Sequence, residues 1–445
     1  MLCRGIAVLA LAAGIAACGG GAAGDDDDAP PGDAGVLGDA GDGPDDSFVF
    51  DRNAIRTYTL TVDAADWAWL NDNATLEQYV PATLEYAGAE YGPIGIRYKG
   101  GYGTLGTCFD GSGNRICPKL SIKLDFPEYD ASIRFYGLKR LNFHSMRYDP
   151  SMMRDVLSYA MYRDMNVAAP RAGHARIVVN GEQLGVFALI EQIDGRFTHD
   201  RFAADATGDG NLYKEVWPQY TFDSPYLGAL RTNEDINPDV SKMVRFATDL
   251  AGASDATIEG VLESWTDVDA LMRYLAVDRA IENWDGIVGW YCPGGTCFNH
   301  NYYWYEETTR DKVWLIPWDM DNTWHVPNPI VTSFGMPEWD DTTASCGTIP
   351  LFNGIPGRAP ACDPLIRWLS VALYDRYLDA TEALLAGPFQ LGAMSNEIDR
   401  LESLLAPHVA ADANGPGTAA WQQAVDDLRA IVQARHATTT TLVTP

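Results

Sequence analysis

Trp314-Leu-Ile-Pro-Trp-Asp-Met-Asp-Asn-Thr-Trp324 is an apolar run that ends in two carboxylates separated by one residue, Asp319 and Asp321. A strand with that ending offers hard oxygen ligands at the mouth of a cleft, which is a place for a divalent cation. Two upstream segments belong with it: Glu282-Asn-Trp-Asp285 and Asn299-His-Asn-Tyr-Tyr303. If Asp285 faces the same cleft, the parts needed for phosphoryl transfer are present: a carboxylate near the nucleophile and a metal that neutralises phosphate charge.

Around this motif the chain has 445 residues, 47% of them hydrophobic and 11% aromatic, enough for one two-lobed unit or two modest domains. The formal net charge of -29 includes nine aspartates between Asp25 and Asp46, in a Gly/Ala/Pro-rich stretch. The remaining surface is still strongly acidic. It repels nucleic acid and anionic headgroups, so no nucleic-acid partner is expected, and any nucleotide site must carry its own cations.

Residues 1–17 read as a signal peptide: Arg4, the apolar run from Ile6, then Gly14-Ile-Ala-Ala before Cys18. Small residues ending at a cysteine resemble a bacterial lipobox, in which Cys18 is lipidated. With Gly19 following, the expectation is export and a lipid anchor on the outer membrane or cell surface, with an ordinary secretory signal as the rival. The apolar run is too short to span a bilayer stably. Residues 18–47 hold almost no large apolar side chain and read as a disordered acidic tether.

Six cysteines remain in three local pairs, Cys108 with Cys117, Cys292 with Cys297 and Cys346 with Cys362. In an oxidising compartment these favour disulfides, each closing a short loop. A zinc site would want four ligands at tight spacing, and the pairs lie far apart.

Strands come first and helices last, an α+β order. Arg56 to Val62, Ile94 to Tyr98, Leu120 to Phe126, Ala175 to Val179 and Gly185 to Gln192 read as strands, with Asn180-Gly181 as a hairpin turn. Ala64 to Leu70, capped near Asp63, and Met152 to Met165 read as helices. After about residue 230, helical spacing runs over 238–251, 256–264, 267–282, 363–386, 395–405 and 419–436, around a strand pair at 302–305 and 313–317. The division is a β-rich lobe over 48–229, expected to bind nucleotide, and a helical catalytic lobe over 230–445.

Several segments together resemble the CotH kinase family: Phe135-Tyr-Gly-Leu-Lys-Arg-Leu-Asn142, Ser151-Met-Met-Arg-Asp-Val-Leu157, the hairpin from Val179 to Asp194, Asn211-Leu-Tyr-Lys214, Asn283-Trp-Asp285 and Pro317-Trp-Asp-Met-Asp321. The resemblance covers roughly residues 55 to 440. It implies an atypical protein-kinase-like two-lobed fold and phosphorylation of protein serines or threonines, with ATP and a divalent cation, Mg or Mn. Asp285 takes the catalytic position, Asp319 the metal-binding one, and Asp321 and Asn301 are further ligands.

Two elements are candidates for the nucleotide. Arg97-Tyr-Lys-Gly-Gly-Tyr-Gly103 ends a strand in glycines, with Arg97 and Lys99 supplying charge. In Lys119-Leu-Ser-Ile-Lys-Leu-Asp-Phe126, alternation puts Lys119, Ser121 and Lys123 on one face. One of these lysines can serve as the strand lysine of kinases does, and the choice between them stays open. Glu191 either lies at a hinge where adenine docks or pairs with a basic neighbour. Asp205 to Asn211 begins like a calcium loop but has Val216 where the bidentate Glu would fall, so it reads as a turn. The seven histidines show no paired metal spacing.

The 34 residues from Asp285 to Asp319 exceed the family's usual gap and hold Trp290-Tyr-Cys-Pro-Gly-Gly-Thr-Cys297, a hairpin able to gate or occlude the site. ATP is also scarce outside cells. Besides an active kinase of secreted or surface proteins, two readings stand: a catalytically inactive kinase-fold scaffold or adhesion protein, and a cation site serving carbohydrate chemistry with tryptophans as sugar platforms.

Overall fold

The computed structural model describes residues 45–202, 208–234 and 238–444. The signal segment, Cys18, the tether up to residue 44 and positions 205–207 of the calcium-like loop lie outside the described residues.

Seven strands close a barrel: β1 Arg56–Val62, β2 Val80–Tyr86, β3 Ala89–Lys99, β4 Ser121–Asp125, β5 Arg140–His144, β6 Ala172–Val179 and β7 Glu182–Ile190. Their order around it is β1-β2-β3-β4-β5-β7-β6. Neighbours run antiparallel except at the closing seam, where β1 lies parallel to β6. Alternation decides what fills it: Tyr58, Leu60, Ile94, Ile96, Ile122, Leu124, Leu141, Phe143, Ile177 and Leu189 all enter one core. The β6–β7 turn has Asn180 at φ 52° and Gly181 at φ 83°, the positive pair that an Asn-Gly hairpin turn needs. Asn180 also bonds both the N–H and the carbonyl of Val62, tying the turn to β1.

Two barrel strands were not expected from the sequence. β2 carries Pro81, which argues against a strand wherever an N–H is needed. β5 is five residues long and three of them are polar, so its alternation is too brief to stand out.

The helices are α1 Ala64–Asp72, α2 Arg154–Asp164, α3 Gly195–Arg201, α4 Ser224–Ala229, α5 Ser241–Gly252, α6 Ile258–Trp265, α7 Val268–Ala280, α8 Pro329–Phe334, α9 Pro364–Val371, α10 Tyr374–Ala386, α11 Leu391–Ala410 and α12 Thr418–Val443. Asp63 caps α1 as expected, accepting from Ala65 N at 2.8 Å. The helix expected over 363–386 is two, α9 and α10. Three further strands, β8 Leu212–Lys214, β9 Tyr302–Glu307 and β10 Lys312–Pro317, form a sheet in the order β10-β9-β8.

A second, larger core joins this sheet to α5, α7, α10, α11 and α12, and α2 packs into it as well. The second core therefore does not start at residue 230: α2 and β8, both earlier in the chain, belong to it. A small third core gathers Tyr291, Ile330, Met336 and Leu351. All three expected disulfides are formed, Cys108–Cys117, Cys292–Cys297 and Cys346–Cys362. Among the described residues, no helix is long and apolar enough to cross a membrane.

Candidate active site

The site lies where the barrel's outer face meets the second core. On β3, β4 and β5 the residues that point away from the barrel core are polar, yet buried: Arg97, Lys99, Ser121, Lys123, Asn142 and His144. Strand register sets Arg97, Lys123 and Asn142 side by side in one row, and Lys99 beside Ser121 in the next. Lys99 Nζ stands 3.4 Å from His144 Nε2 and 5.3 Å from the centre of the Trp318 ring.

Immediately after β5 the chain turns into α2. Asp149 caps the entry, accepting from Ser151 N at 3.0 Å and from Arg154 N at 2.8 Å. This aims Asp155 back at the barrel, with Oδ2 3.9 Å from His144 Nδ1. β10 ends at Pro317, and Asp319 sits at φ 53°, in the left-handed region, so the backbone swings sharply there. Its N–H donates to Tyr159 Oη at 2.9 Å, and Trp318 N donates to the Asn301 carbonyl at 3.1 Å. One ligand atom each from His144, Asp155 and Asp319 lies within 4.8 Å of the others.

Asp285 follows α7 and joins the same cluster. Its Oδ1 accepts from Tyr291 Oη at 2.5 Å, and its Oδ2 from Asn301 Nδ2 at 3.3 Å and Asn322 Nδ2 at 3.2 Å. Asn301, at the start of β9, and Asn322, just past Asp321, thus bind Asp285 to β9 and to the segment that carries Asp319 and Asp321.

The electrostatics are those of crowded acids. Burial pushes the Asp155 carboxyl well above the ordinary carboxylate range, and Asp319 and Asp149 push it further. Asp321 is raised well above it too, by burial and then by Asp155 and Asp285. Asp285 is raised by burial, with His300 and the Tyr291 hydrogen bond opposing. Asp155 is 2% exposed, and a backbone N–H of Met320 and the Lys99 ammonium only partly oppose the rise in its pKa. Buried among acids, such a carboxyl either keeps a proton or takes up a cation, and the hard oxygens here fit a divalent ion.

The structure therefore gathers Asp285, Asn301, Asp319, Asp321 and Lys99 in one cluster. Other residues singled out in the sequence are engaged elsewhere. Arg97 pairs with Glu77 Oε1 at 2.7 Å and lies over the Tyr79 ring. Lys119 donates to the Val186 carbonyl and pairs with Asp412 Oδ2 at 3.3 Å, which ties β4 and β7 to the loop after α11. Lys123 is fully buried in the row between Arg97 and Asn142. Of its two expected options, Glu191 takes the ion pair: Arg171 and Arg201 each reach it at 2.5 Å. The glycine cluster opens a short helical turn, in which the carbonyls of Gly100 and Gly101 accept from Leu105 N and Gly106 N.

Sequence reasoning missed His144, Asp155, Asn322 and Tyr291. The histidine reading failed because it looked for pairs close in sequence, whereas His144, Asp155 and Asp319 come from three separate segments. A signal for Asp155 was present: an acid among Met152, Met153, Val156 and Leu157, on a helix face too apolar for a solvated carboxylate.

A family model described as CotH kinase protein matches residues 96–439. The chain belongs to the CotH kinase family. Inner spore coat protein H of Bacillus subtilis (strain 168) is 26% identical over 217 residues, which are 45% of this chain and 56% of that relative. The chain thus matches little more than half the length of this CotH relative. The crystal structure of the Helicobacter pylori proinflammatory kinase CtkA gives a TM-score of 0.28 at 9% identity, over 83% of this chain and 98% of that one. At that TM-score the likeness is loose, and the CotH assignment rests on sequence alone.

Proposed function

We propose that this CotH family member transfers the terminal phosphoryl group of ATP to serine or threonine hydroxyls of secreted or cell-surface proteins. The observation that carries the reading is the convergence of Asp285, Asn301, Asp319 and Asp321 with the buried Asp155 and His144. Asp285 orients the acceptor hydroxyl and takes its proton as the oxygen attacks phosphorus, an effect worth about two to four orders of magnitude. Burial, which raises its pKa, makes it a stronger base. Asp319, Asp321 and Asn301 would hold Mg or Mn, with Asp155 and His144 beside them, and the cation supplies charge neutralisation at the phosphates. Lys99, on the barrel side of the cleft, is the lysine best situated for those phosphates.

A scaffold or adhesion role without catalysis is the alternative, and the buried acid cluster around Asp155 weighs against it. A scaffold has no use for a buried carboxylate that destabilises the fold. The three disulfides support an oxidising location, in keeping with export and a lipid anchor at Cys18. The test is autophosphorylation by the full chain with radiolabelled ATP and Mg or Mn. Label incorporated by the wild type and lost in Asp285→Asn and Asp319→Ala is the expected result; incorporation that survives both substitutions rejects the site.

A further inference from the structure

We infer that Tyr291 is a positioning residue for Asp285, and that the disulfide-closed hairpin Tyr291–Phe298 holds it in place. The inference rests on the phosphotransfer reading above and adds to it a residue outside the acidic motifs.

The Tyr291 hydroxyl donates to Asp285 Oδ1 at 2.5 Å, while the two asparagines occupy Oδ2. Each carboxylate oxygen is thus held from a different element, Oδ1 by Tyr291 and Oδ2 by the asparagines. The phenol stays a donor, because burial and the neighbouring Asp285 both resist its ionisation. Its ring is 5% exposed and packs against His300 at 5.1 Å and Phe352 at 5.8 Å. His300 in turn faces Glu215 at 3.9 Å, and Glu215 accepts from Asn301 N.

The backbone around Tyr291 is fixed just as closely. Tyr291 N donates to Phe298 O at 2.9 Å and Phe298 N to Tyr291 O at 2.8 Å, so the two residues form the last rung of a hairpin. One step inside that rung, Cys292 is joined to Cys297. Cys292 N also donates to Pro356 O at 2.7 Å, which docks the hairpin on the segment at 349–357. With a sequence separation of 5, against 9 and 16 for the other two, this disulfide constrains the unfolded chain least. Its main effect is local, on the geometry of the residue beside it. The long insertion between Asp285 and Asp319 is then a support for the catalytic carboxylate rather than a cover over it.

The experiment measures the limiting autophosphorylation rate and the half-saturating ATP concentration for the full chain, using radiolabelled ATP with Mg. Tyr291→Phe keeps the ring and removes one hydrogen bond to a charged group, so the limiting rate should fall roughly 10- to 100-fold. Half-saturation by ATP should stay within about twofold, because the interaction lies at the base and not at the nucleotide. Cys292→Ser/Cys297→Ser should lose rate by a similar factor, and adding Tyr291→Phe to it should cost little more. In an Asp285→Asn background, Tyr291→Phe should have no further effect on the residual rate. An active wild type, an inactive Asp285→Asn and an unchanged Tyr291→Phe overturn this inference alone. A wild type that incorporates no label, or an Asp285→Asn that incorporates as much, overturns the phosphotransfer reading and this inference with it. If Tyr291→Phe does not fold, the cysteine pair decides: a double-serine variant that folds and keeps the wild-type rate overturns the supporting role of the hairpin.

Discussion

Glu191 and Asp155 are buried to nearly the same depth, 3% and 2% exposed, in opposite company. Glu191 sits between two guanidiniums, and one of them, Arg171, also grips Asp46. Asp155 faces Asp319 and Asp149, opposed only by His144 at 3.9 Å, a Met320 N–H and Lys99, with no guanidinium among them. The first region is electrostatically closed and has nothing left with which to bind a ligand. The second is open, and its instability in isolation is the driving force for taking up a cation.

Substitutions on the two sides should therefore fail differently. On the open side, Asp285→Asn should lower phosphoryl transfer by about two to four orders of magnitude with little change in melting temperature, checked by label incorporation alongside calorimetry. On the closed side, Glu191→Gln leaves two arginines facing a neutral group. It should cost about 3 kcal/mol in urea unfolding, while activity per folded molecule persists. Equal activity loss in both variants would erase the distinction.

Glu306 is intermediate, with neutral donors and no guanidinium on its oxygens: Tyr213 Oη at 2.8 Å and Asn211 Nδ2 at 3.2 Å. Burial raises its pKa to about 7. A folded state that keeps a proton the unfolded chain has released loses stability as pH rises between the two pKa values. Relative to Glu306→Gln, the wild type should match the variant below about pH 4.5 and fall behind by roughly 3 kcal/mol above pH 7, read from urea unfolding across that range. The smallest effect is expected for Asp155→Asn in EDTA, where removing one of several crowded acids should stabilise the protein by about 1 kcal/mol. The gain should disappear when Mn is added, since the variant binds the cation less well; differential scanning fluorimetry with and without Mn checks it.

Much of this was legible in the sequence. The apolar alternation of β1, β4 and β6 marked the barrel core, and the Asn-Gly turn of β6–β7 was visible from two residues. Ser121 and Lys123 were correctly put on one face of β4, whereas Lys119 precedes the strand and binds Asp412. β2 and β5 were not seen, because a proline and a short polar run mask a period of two. The acidic motif drew attention to Asp285 and Asp319, since two carboxylates at the end of an apolar strand are unusual in themselves. His144 and Asp155 gave no comparable local sign, and their meaning depends on each other.

What the sequence determined by itself was the α+β order of elements, the three cysteine pairs and the acids at the end of β10. Those are properties of neighbours along the chain: period, turn chemistry and loop length. Only the tertiary structure decided which lysine faces the acids, that Lys119 and Glu191 are spent on ion pairs, and that Tyr291 grips Asp285. Such choices depend on barrel closure and on where α2 and β10 meet it, and a side chain's partner across that junction has no counterpart in the spacing of residues along the polymer.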